Sequence, residues 1–324
     1  MTTRRISLDT IREAAGTVYE AAVRTPIVPL RLERGEPEIY LKLETLQPIG
    51  SFKIRGAYNA VKHLTADQRG QGVWTVSAGN AAQGVALAAR KTGARCSVMV
   101  MDTAPDLKLR AIERLGAEIV KATYDECWRT VETHKSDRMR GHFVHPFDDD
   151  DFISGNGTIG LEILEDVPDV DAVIAPLGGG GLLAGIACVL HATRPDARVY
   201  AAEPETAAPL AASFRAGRAS YFDEWRASFV DGAGGRSVLD TMWPLLKEWV
   251  SESLIVSLDE AAQAMRLVAD RVHVIAEGAA ACAVAGALSP AMAARGHRKV
   301  VAVVSGGNID LTRFAQLVGA CPGK

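Results

Sequence analysis

Residues Gly50-Ser51-Phe52-Lys53-Ile54-Arg55-Gly56-Ala57 decide the reading of this chain. A short apolar strand, Ile39 to Leu43, precedes them, and a helical pattern, Ala57 to Leu64, follows. Such a junction places a lysine among small residues where its amine can project into a cleft. Lysine forms Schiff bases with carbonyl cofactors, and desolvation or nearby positive charge frees its amine for attack. A single lysine at a helix start is more often a surface residue, so the weight falls on its surroundings.

Before the lysine, an amphipathic helix carries Ile11, Ala15, Val18 and Ala22 on one face, and Arg24-Thr25-Pro26-Ile27 reads as a turn into extended chain. After it, short β-rich runs alternate with helical patterns. Val73 to Val76, Ser97 to Met101 and Phe143-Val144 read as strands, and Ala81 to Arg90 and Asp106 to Leu115 as helices. The pattern restarts with a strand at Ala172 to Ala175, a helix from Leu182 to His191 and a strand at Val199 to Ala202. A polar connection over about 213–237, a helix from Leu258 to Arg271, an alanine-rich helix and a last strand at Val300 to Val304 complete it. Alternation of this kind predicts parallel sheets with crossover helices. The expected fold class is α/β, with two open parallel-sheet lobes sharing one cleft at the carboxyl ends of their strands. We expect residues 1–68 and 149–324 to form a large domain and 69–148 a small mobile one.

The chain has 324 residues, 48% hydrophobic and 23% charged, which suits two lobes of an ordinary globular protein. Its formal net charge of -3 and the lack of any basic run with interleaved aromatics exclude a nucleic-acid surface. Cys96, Cys127, Cys188, Cys282 and Cys321 are odd in number and form no CxxC, so neither a disulfide framework nor a zinc site is indicated, and a cytoplasmic location fits. Arg4-Arg5 precedes no apolar stretch of a secretory signal. Gly278 to Ala294, broken by Pro290, suits a buried helix better than a membrane span.

Three further stretches carry chemistry. Gly178, Gly179, Gly180 and Gly181 lie between a strand and a helix, where backbone N–H groups converge on an anion. The spacing is not G-x-G-x-x-G and no acidic ribose partner follows, so phosphate is preferred over a dinucleotide or a plain tight turn. Ser77-Ala78-Gly79-Asn80-Ala81 sits at another strand-to-helix junction and can offer N–H groups to a carboxylate, or serve as a capping turn. Ser305 ends the last strand, where its hydroxyl can reach a ring nitrogen or cap the next helix.

Taken together, Lys42-Leu43-Glu44, Gln47-Pro48, the lysine segment, the glycine run and Val304-Ser305-Gly306-Gly307-Asn308 resemble the fold-type II pyridoxal phosphate enzymes, in the serine/threonine dehydratase and serine racemase family. The likeness runs from Arg24-Thr25-Pro26 to Asn308 and includes His145-Pro146-Phe147-Asp148 and Gly155-Asn156-Gly157-Thr158. It implies that Lys53, beside Phe52, carries pyridoxal 5'-phosphate, that Gly178 to Gly181 with Leu182 hold its phosphate, that Asn80 meets its phenolic oxygen, and that Ser305 faces its ring nitrogen. It also implies that Ser77 to Ala81 grip the carboxylate of a small amino-acid substrate, that Lys53 is the catalytic base, and that the protein is a homodimer. Ala78 replaces the acid/base serine of the family's serine racemases, and Ala81 replaces a histidine. The expected activity is elimination of water from a β-hydroxy-α-amino acid to give a 2-oxo acid and ammonia, on threonine or serine, or on a bulkier substrate such as L-threo-3-phenylserine. A serine or aspartate racemase and a catalytically silent cofactor binder are the alternatives. Glu203 and Ala207 resemble the family's divalent-cation site, but Pro209 stands at its aspartate, so a monovalent ion held by carbonyls is the other option. Glu277 matches a glutamate near the cofactor ring, Gly234-Gly235-Arg236 departs from the family, and we expect no C-terminal regulatory domain of the kind found in biosynthetic threonine dehydratases.

Overall fold

The computed structural model describes residues 4–32 and 37–320. Cys321 lies outside the described residues. Ten strands are present among them: β1 (Ile27–Pro29), β2 (Glu38–Leu43), β3 (Val73–Val76), β4 (Cys96–Met101), β5 (Glu118–Ala122), β6 (His142–Phe143), β7 (Ala172–Pro176), β8 (Arg198–Pro204), β9 (Glu252–Val256) and β10 (Lys299–Val304). They form a four-stranded sheet in the order β5-β4-β3-β6 and a six-stranded sheet in the order β1-β2-β10-β7-β8-β9. Every pairing is parallel except that of β1 with β2. Parallel neighbours need crossover helices, which cover the faces and leave β3, β7 and most of β10 buried along their length.

The chain divides into two compact units, residues 1–23 with 47–158, and residues 24–46 with 159–324. Residues 4–23, 47–68 and 149–158, which the sequence pattern assigns to the larger domain, group by contact with the four-stranded sheet.

In the first unit, the helix Lys53–His63 packs against the helix Asn80–Thr92 through Ile54, Ala57 and Val61 on one side and Ala82, Val85 and Ala86 on the other. Gly84 permits the approach, since a Cβ there would lie 3.0 Å from the Lys53 carbonyl oxygen. The helix Leu8–Val18 is started by a capping box at Ser7 and Thr10 and buries Ile11, Ala14 and Val18. Arg55, fully buried, donates to Thr158 at 3.0 Å and to the Val23 carbonyl at 3.2 Å.

In the second unit, the alanine-rich helix Gly278–Leu288 is buried from Gly278 to Ala287 against β7, β8 and β10. Its small side chains let it lie close on the sheet: a Cβ on Gly286 would already press on Ile174. Lys42 and Glu162 form a fully buried ion pair, and Lys42 also donates to the Thr25 carbonyl at 2.7 Å. Such a pair costs desolvation that its own geometry must offset, so it fixes register more than it adds stability. No described helix is long and apolar enough to cross a membrane.

Candidate active site

Lys53 is the first residue of its helix, where the sequence pattern placed the start at Ala57. Gly50 turns the chain with φ of 70° before it. The Lys53 amine donates to the Pro146 carbonyl at 2.6 Å and stands 5.2 Å from the Phe52 ring centre and 5.3 Å from that of Phe152. Pro146 lies just beyond β6. Continuing the β3–β6 register, Val73 with His142 and Trp74 with Phe143, sets Pro146 level with Ser77. The first unit therefore brings Lys53 to the carboxyl edge of its sheet, where Ser77 to Ala81 begin the helix Asn80–Thr92.

That junction can offer donors to an anion. Ser77 Oγ accepts from the Gly79 N–H at 3.1 Å, and Asn80 opens a 13-residue helix whose first N–H groups have no intrahelical acceptor. Ser77, Ala78, Gly79 and Asn80 are half-buried, and a Cβ on Gly79 would meet no atom within 4 Å, so there is room for a ligand. Ala81, 4% exposed, is turned inward.

The second unit assembles its own group. β7 runs into Gly178, and Gly180, with φ of 94°, caps the helix Gly181–Thr193. Among the described residues no backbone acceptor takes the N–H of Gly178, Gly179 or Gly180, which leaves these donors for a phosphate. Gly178 must be glycine: a Cβ there would lie 2.9 Å from the Gly232 carbonyl oxygen. Leu182 is buried in the first turn. β10 is the neighbour of β7, and its register, Val300 with Ala172 and Ala302 with Ile174, sets Ser305 level with Leu177. Ser305 is 2% exposed. The helix after it is capped by Asp310, so Ser305 is no cap. Glu277 borders this group, its N–H donating to the Gly306 carbonyl at 3.0 Å and its carboxylate 3.3 Å from where a Gly232 Cβ would stand. Trp225 donates to the Gly234 carbonyl at 2.9 Å and carries Arg236 over its ring at 4.0 Å. These donors, the glycine cradle and the adjacent buried hydroxyl fit the phosphate and ring of pyridoxal phosphate.

A divalent ion is not fitted in the same way. The two oxygens of Glu203 accept the N–H groups of Leu210 and Ala211 at 2.8 Å each, and Ser253 donates to the second. Glu203 thereby caps the helix Pro209–Ala216, and burial pushes its carboxyl up to about 7. Ala207 is buried. Among the described residues, no group of three or more His, Cys, Asp or Glu side chains is placed to hold a metal. The four described cysteines are free and buried, and desolvation raises their thiols, Cys96 and Cys282 to about 12.

Residues 18–306 match the family described as pyridoxal-phosphate dependent enzyme. The chain is 38% identical over 317 residues to the L-threonine ammonia-lyase of Thermotoga maritima, covering 97% of this chain and 78% of that protein. It is 38% identical over 320 residues to the catabolic L-threonine dehydratase TdcB of Escherichia coli K12, covering 97% and 96%. Its fold matches the structure of maize serine racemase with a TM-score of 0.86, at 31% identity and 96% coverage of each chain. Two parallel-sheet α/β units with these groups at their strand ends make this a fold-type II pyridoxal phosphate enzyme. The chain belongs to the pyridoxal phosphate-dependent enzyme family, in its serine/threonine dehydratase branch. It is a lyase, and pyridoxal phosphate is its cofactor.

The sequence gives no sign that the Pro146 carbonyl receives the Lys53 amine. The His-Pro-Phe-Asp segment was visible, but the carbonyl that meets the lysine is a backbone atom and leaves no residue signal.

Proposed function

We propose that this protein eliminates water from a β-hydroxy-α-amino acid and releases a 2-oxo acid and ammonia, with Lys53 as the residue that carries the cofactor and then acts as base. The observation that carries this reading is the placement of the Lys53 amine on the Pro146 carbonyl at the strand edge where Ser77 to Ala81 begin their helix. The named activities of the Thermotoga and Escherichia relatives support a hydroxy amino acid such as threonine.

Pyridoxal phosphate, when bound, supplies the electron sink that makes the substrate Cα–H acidic. Phe52 flanks the Lys53 stem; the amides of Gly178 to Leu182 would hold the phosphate, and Asn80 would meet the phenolic oxygen. Ser305 would offer a neutral hydroxyl to the ring nitrogen; a hydroxyl cannot keep that nitrogen protonated as a carboxylate would, which would favour loss of a leaving group over transamination. Ser77 and the first amides of the Asn80–Thr92 helix orient the substrate carboxylate. The freed Lys53 amine takes the Cα proton and passes a proton to the departing β-hydroxyl, which leaves as water. The released enamine takes up one water and yields the 2-oxo acid and ammonia, so the overall reaction consumes no co-reactant.

Ala78 brings no hydroxyl to return a proton from the opposite face, which favours elimination over racemisation despite the likeness to maize serine racemase. Ala78 and Ala81 together remove polar bulk, so substrates with a large β-substituent, including L-threo-3-phenylserine, are accepted beside threonine and serine. The test is 2-oxo acid and ammonia release by the cofactor-loaded protein from L-threonine, L-serine, L-threo-3-hydroxyaspartate and L-threo-3-phenylserine. Stoichiometric release from at least one of them is expected. A D-amino acid as the main product, or cofactor binding without turnover on any of them, would overturn the reading.

A further inference from the structure

Beyond Phe143 the chain of the first unit turns through His145-Pro146-Phe147-Asp148. The His145 ring is 2% exposed and packs T-shaped on Phe147 with centroids 4.6 Å apart, and tilted on His134 at 4.5 Å. Its Nδ1 accepts the N–H of Asp148 at 2.8 Å and that of Phe147 at 3.3 Å. A ring nitrogen that accepts cannot also carry the proton, so Nε2 bears it and donates to the Val131 carbonyl at 3.1 Å. One neutral tautomer thus satisfies the whole site. Desolvation first, then the neighbouring His134, push the ring down to about 3, against the opposing pull of Asp148, so it stays neutral wherever the protein works.

Asp148, buried, is held from outside by Arg4, with His134 Nε2 3.5 Å away. His145 grips the turn from inside. Pro146 sits between them and, lacking an N–H, offers only its carbonyl, which receives the Lys53 amine at 2.6 Å.

We infer that His145 is a positioning residue for the elimination: as a fixed acceptor it holds the 145–148 turn so that the Pro146 carbonyl aims the Lys53 amine at the substrate Cα–H. This rests on the reading of Lys53 given above. A carbonyl that takes one amine hydrogen fixes the direction of the lone pair, and misplacing a reacting group by about 1 Å costs roughly 100-fold in rate. A histidine that merely filled space would be replaced without such loss by a ring of similar size.

The test compares His145→Phe, which keeps the ring and removes the acceptor, with His145→Asn, whose side-chain oxygen can accept the N–H two residues on. The measurements are kcat per bound cofactor, KM and the deuterium isotope effect with Cα-deuterated L-threonine, or with another substrate of the assay above if that turns over better. For His145→Phe we expect kcat lower by about 10- to 100-fold, KM within about threefold and a larger isotope effect, because proton removal becomes slower. His145→Asn should stay within about fivefold of the unmodified enzyme, with its isotope effect. If the phenylalanine variant does not fold, His145→Gln, with its acceptor one methylene further out, should show the same loss. Unchanged kcat and isotope effect in His145→Phe, or in His145→Gln where it stands in, or an asparagine variant as impaired as either, would overturn the inference. Elimination retained by Lys53→Ala would instead overturn the reading of Lys53 itself.

Discussion

A Cβ added to Gly56 would stand 2.5 Å from the Phe152 carbonyl oxygen and would press into the Phe152 ring. Gly155, one turn along the same partner helix, faces the Arg55 carbonyl oxygen at the same 2.5 Å. The Lys53 helix is thus seated backbone to backbone on the helix Asp150–Asp166. Gly56→Ala forces the helices apart and should lower stability by about 1–3 kcal/mol, the usual cost of overpacking. Urea unfolding would report it as a lower midpoint with an unchanged slope.

The glycine cradle makes a different demand. Gly180 needs a left-handed backbone at φ of 94°, and a Cβ there would lie 2.8 Å from Leu246 Cδ1. Gly180→Ala should weaken pyridoxal phosphate binding by about 10- to 100-fold, the equivalent of 1–3 kcal/mol of strain at one residue. Titrating apoprotein with the cofactor measures it, and pyridoxal without the phosphate should lose little affinity if the cradle serves the phosphate.

Much of this was legible in the sequence, for physical reasons that differ by segment. Val73–Val76, fully buried, was read with its observed bounds because a buried parallel strand is an uninterrupted apolar run. The edge strands β5 and β9 escaped, since Glu118 and Glu252 open them and their burial is partial. The helix Asp150–Asp166 has no clear helical pattern in the sequence, because Gly155, Gly157 and Gly160 interrupt it. Those glycines serve close approach instead, Gly157 meeting the Ile11 side chain and Gly160 that of Val189. The start at Lys53 gave no signal either, as its N-cap is Phe52 with no side-chain hydrogen bond. At the candidate site, the placement of Ser305 and the glycine run at strand ends was legible because strand ends and glycine loops are written in residue types. The Pro146 carbonyl was not, because its partner depends on the pairing of β3 with β6.

Ala81 tests the substrate argument. Ala81→His restores polar bulk at a buried position and should lower kcat/KM for L-threo-3-phenylserine at least tenfold more than for L-threonine, a difference of about 1.4 kcal/mol in transition-state binding. Equal losses on both substrates would mean that position 81 does not shape the pocket.

Glu203 predicts a pH dependence of stability. Its folded carboxyl lies near 7 against an ordinary 4.5, chiefly through burial, so the folded state binds the proton more tightly than the unfolded one. The stability it contributes is fully present below about pH 4.5 and is lost as pH rises through about 7, on the order of 3 kcal/mol in all. Glu203→Gln removes the titration, so its melting temperature relative to the unmodified protein should improve steadily from pH 5 to pH 8. A constant offset across that range would refute the assignment.

The most direct measurement is borohydride reduction of the pyridoxal phosphate-loaded protein, followed by peptide mass spectrometry to locate the bound cofactor. The account predicts a single modified peptide with the added mass on Lys53, and neither that mass nor 2-oxo acid release in Lys53→Ala. Modification at another lysine, or elimination that survives in Lys53→Ala, would contradict it.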